Sequence, residues 1–244
     1  MGGSSPEVPS GVKTVDVKWL AACSYDHGYT VQVAKVDEVV AARDRGGDQG
    51  TIHLLEHAPA VITISRRPQA ASHLLASPDR LAADGIEVRE TDRGGDITYH
   101  GPGQLVAYPN LDLNIFNLGL HDYMRLLEES VIRACAGWGI AAERDPDATG
   151  VWVGGSKICA MGVRVRKWVS MHGLAINVST NLRHFDHIVP CGLAGRGVTS
   201  LRALLGDDAP GVQEAGERIA RELKAMLLDR ADSVAARRRV SGTS

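Results

Sequence analysis

The stretch that most constrains the fold is GVWVGGSKICAMGVRVRKWVSMHGLAINV, residues 150–178. It holds runs of alternating apolar and polar side chains, the period of a half-buried strand, with no helical segment between them. The glycines that punctuate it read as hairpin turns. Successive strands joined by short turns must pair antiparallel, because a parallel crossover needs a dozen or more residues. The rest of the chain is mixed. TVDVKWL (14–20), TIHLLEH, AVITISR, IEVRET (86–91) and QLVAYPNLDL (104–113) read as further strands, with Ala58-Pro59 breaking the second from the third. Helical spacing of Tyr29, Val33, Val36 and Val40 predicts a helix from Asp26 to about Arg43. Tyr123, Leu126, Leu127, Val131 and Ile132 predict another from His121 to Trp138. After Asp207-Asp208-Ala209-Pro210, VQEAGERIARELKAMLLDRADSVAARR predicts a long terminal helix, acidic before its start and basic at its end. Strands and helices do not alternate regularly, so the expected class is α+β with a mixed, largely antiparallel sheet flanked by helices.

At 244 residues one large domain is expected, with residues 14–236 as its body, 1–13 a flexible lead-in and 237–244 a flexible tail. A 44% hydrophobic, 23% charged composition is that of a globular chain. The formal net charge of -2 gives no general attraction to nucleic acid or anionic membrane. No apolar run approaches the roughly 20 residues of a membrane span. MGGSSPEVPSGVK lacks the basic start and apolar centre of a secretory signal. Cys23, Cys135, Cys159 and Cys191 are widely spread, with no C-x-x-C pair or metal-ligand spacing, so free thiols in a reducing cytoplasm are expected.

Three stretches carry chemistry. TDRGGDITYHGPGQLVAYP (91–109) packs glycines and prolines around Arg93, Tyr99, His100 and Gln104 just before a strand. Its glycines let backbone approach a ligand closely and Arg93 can hold an anion, although a structural hairpin turn explains the pattern about equally well. It is neither a P-loop nor a dinucleotide fingerprint. GGSKICAMGVRVR (154–166) places Lys157 at a strand start, where burial would make it usable as a base, although most lysines in such positions are simply exposed. HIVPCGLAGRGVTSL (187–201) holds Cys191 between proline and glycine, a shaped turn where a thiol is less expected to be inert core than the other three cysteines.

Taken together and in this order, RGGDITYHGPGQ, SKICAMGVRV, MHGLAINV and IVPCG resemble the signature of the octanoyltransferases of lipoate biosynthesis, the lipoate–protein ligase B family. The likeness spans residues 15–225. It implies a single domain of the biotin/lipoate ligase-like fold, acting without metal or cofactor. The implied reaction moves an octanoyl group from octanoyl-acyl carrier protein to a specific lysine of lipoyl domains, those of the 2-oxoacid dehydrogenase complexes and the glycine cleavage H protein. Cys191 matches the family's nucleophile and Lys157 the lysine that lowers its pKa and shuttles protons. The matching substrate-binding positions are Arg93, Gly94, Gly95, Asp96, Ile97, Thr98, Tyr99 and His100, then Ala160, Met161 and Gly162, then Gly173, Leu174 and Ala175. Small residues at Ala160, Gly162 and Gly173 would leave room for the acyl chain. The run Arg164, Arg166, Lys167 is a candidate contact for an acidic carrier protein, and solvated surface charge explains it as readily. His172 is expected to be a hydrogen-bonded structural histidine and Asn177 to orient backbone. A monomer is expected. Two rivals stay open: an ATP-dependent lipoate or biotin ligase, which would not need Cys191, and a non-catalytic binding protein that kept the fold.

Overall fold

The computed structural model describes residues 15–43, 49–189 and 196–241, with side chains of the last helix through Val234. Its elements run β1 (Asp16–Trp19), α1 (Tyr25–Ala42), β2 (Gly50–Leu55), β3 (Ala60–Ser65), α2 (Pro78–Ala83), β4 (Ile86–Thr91), β5 (Ile97–His100) and β6 (Gln104–Leu111). There follow α3 (Leu120–Ala136), β7 (Glu143–Arg144), β8 (Val151–Val153), β9 (Ser156–Arg166), β10 (Val169–Asn177), α4 (Leu201–Leu205) and α5 (Val212–Ser241). No helix among the described residues is long and apolar enough to cross a membrane.

The expected class holds, but the strands form two sheets rather than one. Seven lie in the order β1-β2-β6-β10-β9-β8-β7 and three in the order β4-β3-β5. Only β1–β2 and β3–β4 pair parallel; the other neighbours are antiparallel. The division falls at the Ala58-Pro59 break, which separates β2 from β3 and is a cis peptide. The terminal helix α5 continues to Ser241, past residue 237 where a tail is expected to begin. Alanine and arginine at 235–239 are strong helix formers, which accounts for the extension.

The large sheet is covered on both faces, so β6 and β10 are buried along their whole lengths. On one face Ile52, Leu54, Leu105, Leu111 and Ile176 pack against Tyr123, Leu127 and Val131 of α3 and Ile219, Leu223 and Leu227 of α5. On the other, Val36 and Val39 of α1 meet Val169 and Met171 of β10. Ser24 caps α1 by accepting a hydrogen bond from the His27 N–H, and Ser77 does the same for α2.

The β9–β10 hairpin turns through Lys167 and Trp168 at φ 51° and 64°, both in the left-handed region. The two-residue link, with Val169 opposite Arg166, has the positive φ values that the favoured hairpin turns require, here without glycine. The β8–β9 turn uses Gly154 and Gly155 at φ 55° and 78°, as the sequence pattern suggests.

Within the hairpin Gly173 sits directly opposite Gly162. A Cβ on Gly173 would overlap the Ala107 carbonyl oxygen and lie 2.6 Å from Pro109 Cδ, both on the neighbouring β6. Neither atom is the end of a flexible side chain, so the strand itself must shift. Gly173→Ala is expected to lower the free energy of unfolding by about 1–3 kcal/mol, the usual range for overpacking. Gly211→Ala, with open space around the added methyl, should stay within about 0.5 kcal/mol of wild type. Urea midpoints at unchanged slope check both.

Candidate active site

The loop that precedes β5 meets the β9–β10 hairpin at its facing glycines. The loop between β4 and β5 lays Gly94 onto β9: its N–H donates to the Val163 carbonyl at 2.9 Å, and its own carbonyl occupies the space beside Gly162. A Cβ on Gly162 would stand 2.5 Å from that oxygen. The glycines at 162 and 173 are thus required by neighbouring backbone, and the reading that they merely leave room for a ligand is incomplete. Arg93 is held in place by donating to the Thr63 carbonyl at 2.9 Å and the Thr63 hydroxyl at 2.8 Å.

Beside this junction lies a mostly apolar cleft between the small sheet and the face of the large sheet away from α3 and α5. Arg93, Gly95, Asp96, Ile97, Thr98 and His100 border it from the loop and β5. Ala160, Met161 and Gly162 border it from β9, and Gly173, Leu174 and Ala175 from β10. Gly94 backs onto β9 instead, and Tyr99 turns away. The Tyr99 hydroxyl hydrogen-bonds to Nδ1 of His184 at 2.8 Å and its ring packs edge-on against Phe185. Burial there pushes the phenol up to about 12.

The cleft also has walls that the motifs do not contain: Tyr25 from α1, Val106 and Tyr108 from β6, and His172. Tyr108 donates to Nε2 of His57 at 2.7 Å, and Nδ1–H of His57 donates to the Cys23 carbonyl at 3.1 Å, which sets the tautomer. The only hint of this pair in the sequence is the histidine that closes the strand-like run TIHLLEH.

A second set of contacts ties the cleft to Lys157. His100 Nδ1–H donates to Gln104 Oε1 at 2.7 Å, and Gln104 Nε2 donates to Asn177 Oδ1 at 2.9 Å. Asn177 Nδ2 in turn donates to the Thr199 carbonyl at 3.0 Å, so it does orient backbone. The Thr199 N–H donates to the Lys157 carbonyl, and the Lys157 N–H to the Gly197 carbonyl, at 3.0 and 2.9 Å. Lys157 itself is buried, its ammonium 4.8 Å from the centre of the Trp152 ring, and it does not border the cleft. Arg196 stacks on the same ring at 3.8 Å and pairs with Asp145. Cys191 lies outside the described residues. The chain is pinned on either side of that segment, by Val189 donating to the His73 carbonyl at 2.8 Å and by the Gly197–Thr199 contacts with Lys157.

Burial keeps the histidines of this region neutral. His57 falls to about 4 and His100 lies well below the ordinary imidazole range, in both cases chiefly through desolvation. His172 is lowered by the same cause, although it donates from Nε2 to Asp92 at 2.8 Å. Asp92 is held far below the usual carboxylate range, first by the hydrogen bond from His172 and then by Tyr29 and Arg164. The structural role expected for His172 is visible in its backbone too: its φ is 57°, and its N–H donates to the buried Gln32 Oε1 at 2.5 Å. Arg164 and Arg166 pair with Asp92 and Asp37 of the same chain. Among the described residues no three His, Cys, Asp or Glu side chains are gathered as metal ligands would be.

The sequence model of the lipoyl protein ligase A/B catalytic domain matches residues 29–224. The chain belongs to that family. An octanoyltransferase of Bacteroides thetaiotaomicron is 45% identical over 230 residues, covering 92% of this chain and all of the relative. An octanoyltransferase of Chloroflexus aurantiacus is 46% identical over 211 residues, 85% of this chain and 92% of the relative. Among solved structures, a lipoate-protein ligase A bound with ATP superposes with a TM-score of 0.67 at 17% identity, over 92% of this chain and 94% of that one. The putative lipoate protein ligase Ta0514 of T. acidophilum, with bound lipoic acid, gives 0.65 at 17%, again over 92% and 94%. These likenesses show that the chain has the ligase-type fold.

The neutral histidines make this family member sensitive to acid. The folded His57 pKa of about 4 lies below the unperturbed 6.5, so the unfolded chain binds the extra proton between those values. Its contribution is full above 6.5, fades as pH falls, and is gone below about 4. Urea unfolding of the wild type is expected to weaken between pH 7 and 4.5. In His57→Gln that loss should shrink by roughly 2 kcal/mol, the linkage value for such a shift. An undiminished loss in the variant would mean that other groups carry the acid sensitivity.

Proposed function

We propose that this chain transfers an octanoyl group from octanoyl-acyl carrier protein to a specific lysine of lipoyl domains, through a thioester on Cys191. What carries the reading is its match, at 39–50% identity, to relatives named octanoyltransferase, several of them along their full length. The apolar cleft bordered by the motif residues supports it. Burying the methylenes of an eight-carbon chain at ~0.8 kcal/mol each gives ~5 kcal/mol, enough to retain the acyl group between two protein encounters. Acceptors would be lipoyl domains of the 2-oxoacid dehydrogenase complexes and the glycine cleavage H protein, met in the reducing cytoplasm by a monomeric enzyme. The free thiols of Cys23, Cys135 and Cys159 agree with that compartment.

In the first half-reaction the Cys191 thiolate attacks the donor's thioester carbonyl. A new C–S bond forms, and the carrier's thiol leaves with the proton taken from Cys191. In the second, the acceptor lysine's amine attacks the acyl-Cys191 carbonyl, the C–N bond forms, and the Cys191 sulfur leaves. Lys157 serves both halves, as the ammonium that favours the thiolate and, once neutral, as acceptor of the amine's proton. A thioester becomes an amide, so the transfer runs downhill without ATP. The backbone contacts of Lys157 with Gly197 and Thr199 support the pairing, because Cys191 precedes Gly197 by only six residues. The glycine loop and the β9 and β10 residues that border the cleft would hold the acyl chain.

The rival with an observation behind it is an ATP-dependent ligase, whose fold this chain shares. Intact-protein mass spectrometry with octanoyl-acyl carrier protein and no ATP separates the two. A single octanoyl adduct is expected on the native chain, absent from Cys191→Ser and discharged by an apo lipoyl domain. Lys157→Ala should slow discharge by about 100-fold or more, as loss of an acid–base group does. No adduct without ATP, together with lipoyl-domain modification once ATP and octanoate are supplied, would overturn the transferase reading.

A further inference from the structure

On the outer side of the glycine loop, β3 ends in a turn that carries two adjacent arginines. Ser65 fixes this turn, its hydroxyl donating to the Gly95 carbonyl at 3.0 Å and accepting from the Arg67 N–H at 3.3 Å. Arg66 and Arg67 are thereby placed beside Arg93 and Arg164 around an open surface basket of about 390 Å³. Four arginines line it against a single carboxylate, Asp92, which is already engaged by His172, Tyr29 and Arg164. Arg66 and Arg67 are exposed, and neither guanidinium has a carboxylate partner among the described residues.

The basket and the apolar cleft share Arg93 and Gly95, so the two spaces meet at the loop. A ligand that suits both has an anionic group at one end and a long apolar group at the other. The acyl donor of the reading above has this form, because the octanoyl thioester hangs from a carrier protein through an arm attached by a phosphodiester. We propose that the Arg66–Arg67 turn, with Arg93 and Arg164 behind it, binds that phosphate while the acyl end enters the cleft. Guanidinium forks match phosphate oxygens in charge and geometry. This assignment rests on the proposed donor, but phosphate recognition can be read without any transfer taking place.

The experiment uses the full chain and the double variant Arg66→Gln/Arg67→Gln, with three donors: octanoyl-acyl carrier protein, octanoyl-4′-phosphopantetheine and octanoyl-pantetheine. The expected result is a KM raised roughly tenfold for the two phosphate-bearing donors, a change worth about 1.4 kcal/mol. KM for octanoyl-pantetheine should move less than twofold, and kcat should hold for all three. Equal effects on all three donors, or none on octanoyl-4′-phosphopantetheine, overturn the proposal. A loss confined to octanoyl-acyl carrier protein also overturns it, because the turn would then read the carrier's acidic surface. Calorimetric titration with 4′-phosphopantetheine, pantetheine and ATP separates this outcome from failure of the transferase reading. Phosphate-dependent binding that the double variant loses supports the basket even if the wild type transfers nothing. Arginine-dependent binding of ATP alone overturns it in favour of a nucleotide site.

Discussion

The structure turns on one close approach, that of the backbones at Gly94, Gly162 and Gly173. Gly162 and Gly173 face each other across the β9–β10 hairpin, with the Gly94 carbonyl over one and the Ala107 carbonyl against the other. A methyl at either strand position would displace main chain rather than a mobile side chain. This contact seats the loop that belongs to the small sheet on the large sheet, and so sets the distance between them. The cleft is the space left between those sheets, and its size follows from the seating. Side-chain packing elsewhere can adjust by rotamer changes, whereas carbonyl oxygens in a sheet cannot.

The polar groups around the cleft follow a similar logic of fixed placement. His100, Gln104, Asn177 and the Thr199 backbone form a chain of hydrogen bonds in which Gln104 and Asn177 each have one partner on the cleft side and one on the Lys157 side. Its far end holds the strand start from which Lys157 projects. Buried amides are costly unless satisfied, and here satisfaction and positioning are the same contacts. A displacement at His100 is therefore felt in the backbone that carries Lys157, even though the lysine does not border the cleft.

Much of this was legible in the sequence because it is local. Alternation marks β9 and β10, 3.6-residue spacing marks α1 and α3, and the glycine-rich loop announces itself before β6. What was not legible is nonlocal or disguised. The β9–β10 turn has no glycine, and Lys167 and Trp168 in left-handed conformations carry no local signal. Gln32 lies on the buried face of α1 among valines, where nothing but its partner His172, 140 residues away, explains a polar residue. The split into two sheets depends on which strands find each other after Ala58-Pro59. Tyr99 belongs to the most distinctive motif, yet its side chain serves the small sheet's own core. The motif marks a stretch of backbone, and strand geometry decides which of its side chains reach the cleft. Cys191, central to the proposed chemistry, was read from the sequence alone.

Charge is distributed so that the two ends of the cleft differ. Away from Arg93 and Asp96 at the loop, its wall is uncharged, because burial holds His100 and His172 unprotonated, keeps the Tyr108 hydroxyl intact and leaves His57 behind Tyr108 neutral. Of the nearby carboxylates, Asp96 on the border accepts the Ile97 N–H at 2.8 Å, and Asp92 behind the loop is engaged by His172, Tyr29 and Arg164. Arg66, Arg67 and Arg164 stand on the outer side of the glycine loop, and Arg93 borders both spaces. A neutral inner wall admits an apolar chain without requiring an ion to be stripped of water, which would cost several kcal/mol. A cationic rim then fixes the orientation of any ligand with one anionic end, since reversal would put that anion against apolar wall. Orientation thus comes from the gradient across the loop rather than from any single contact. The Gly94 seat fixes where rim and wall meet, by holding on β9 the loop that borders both.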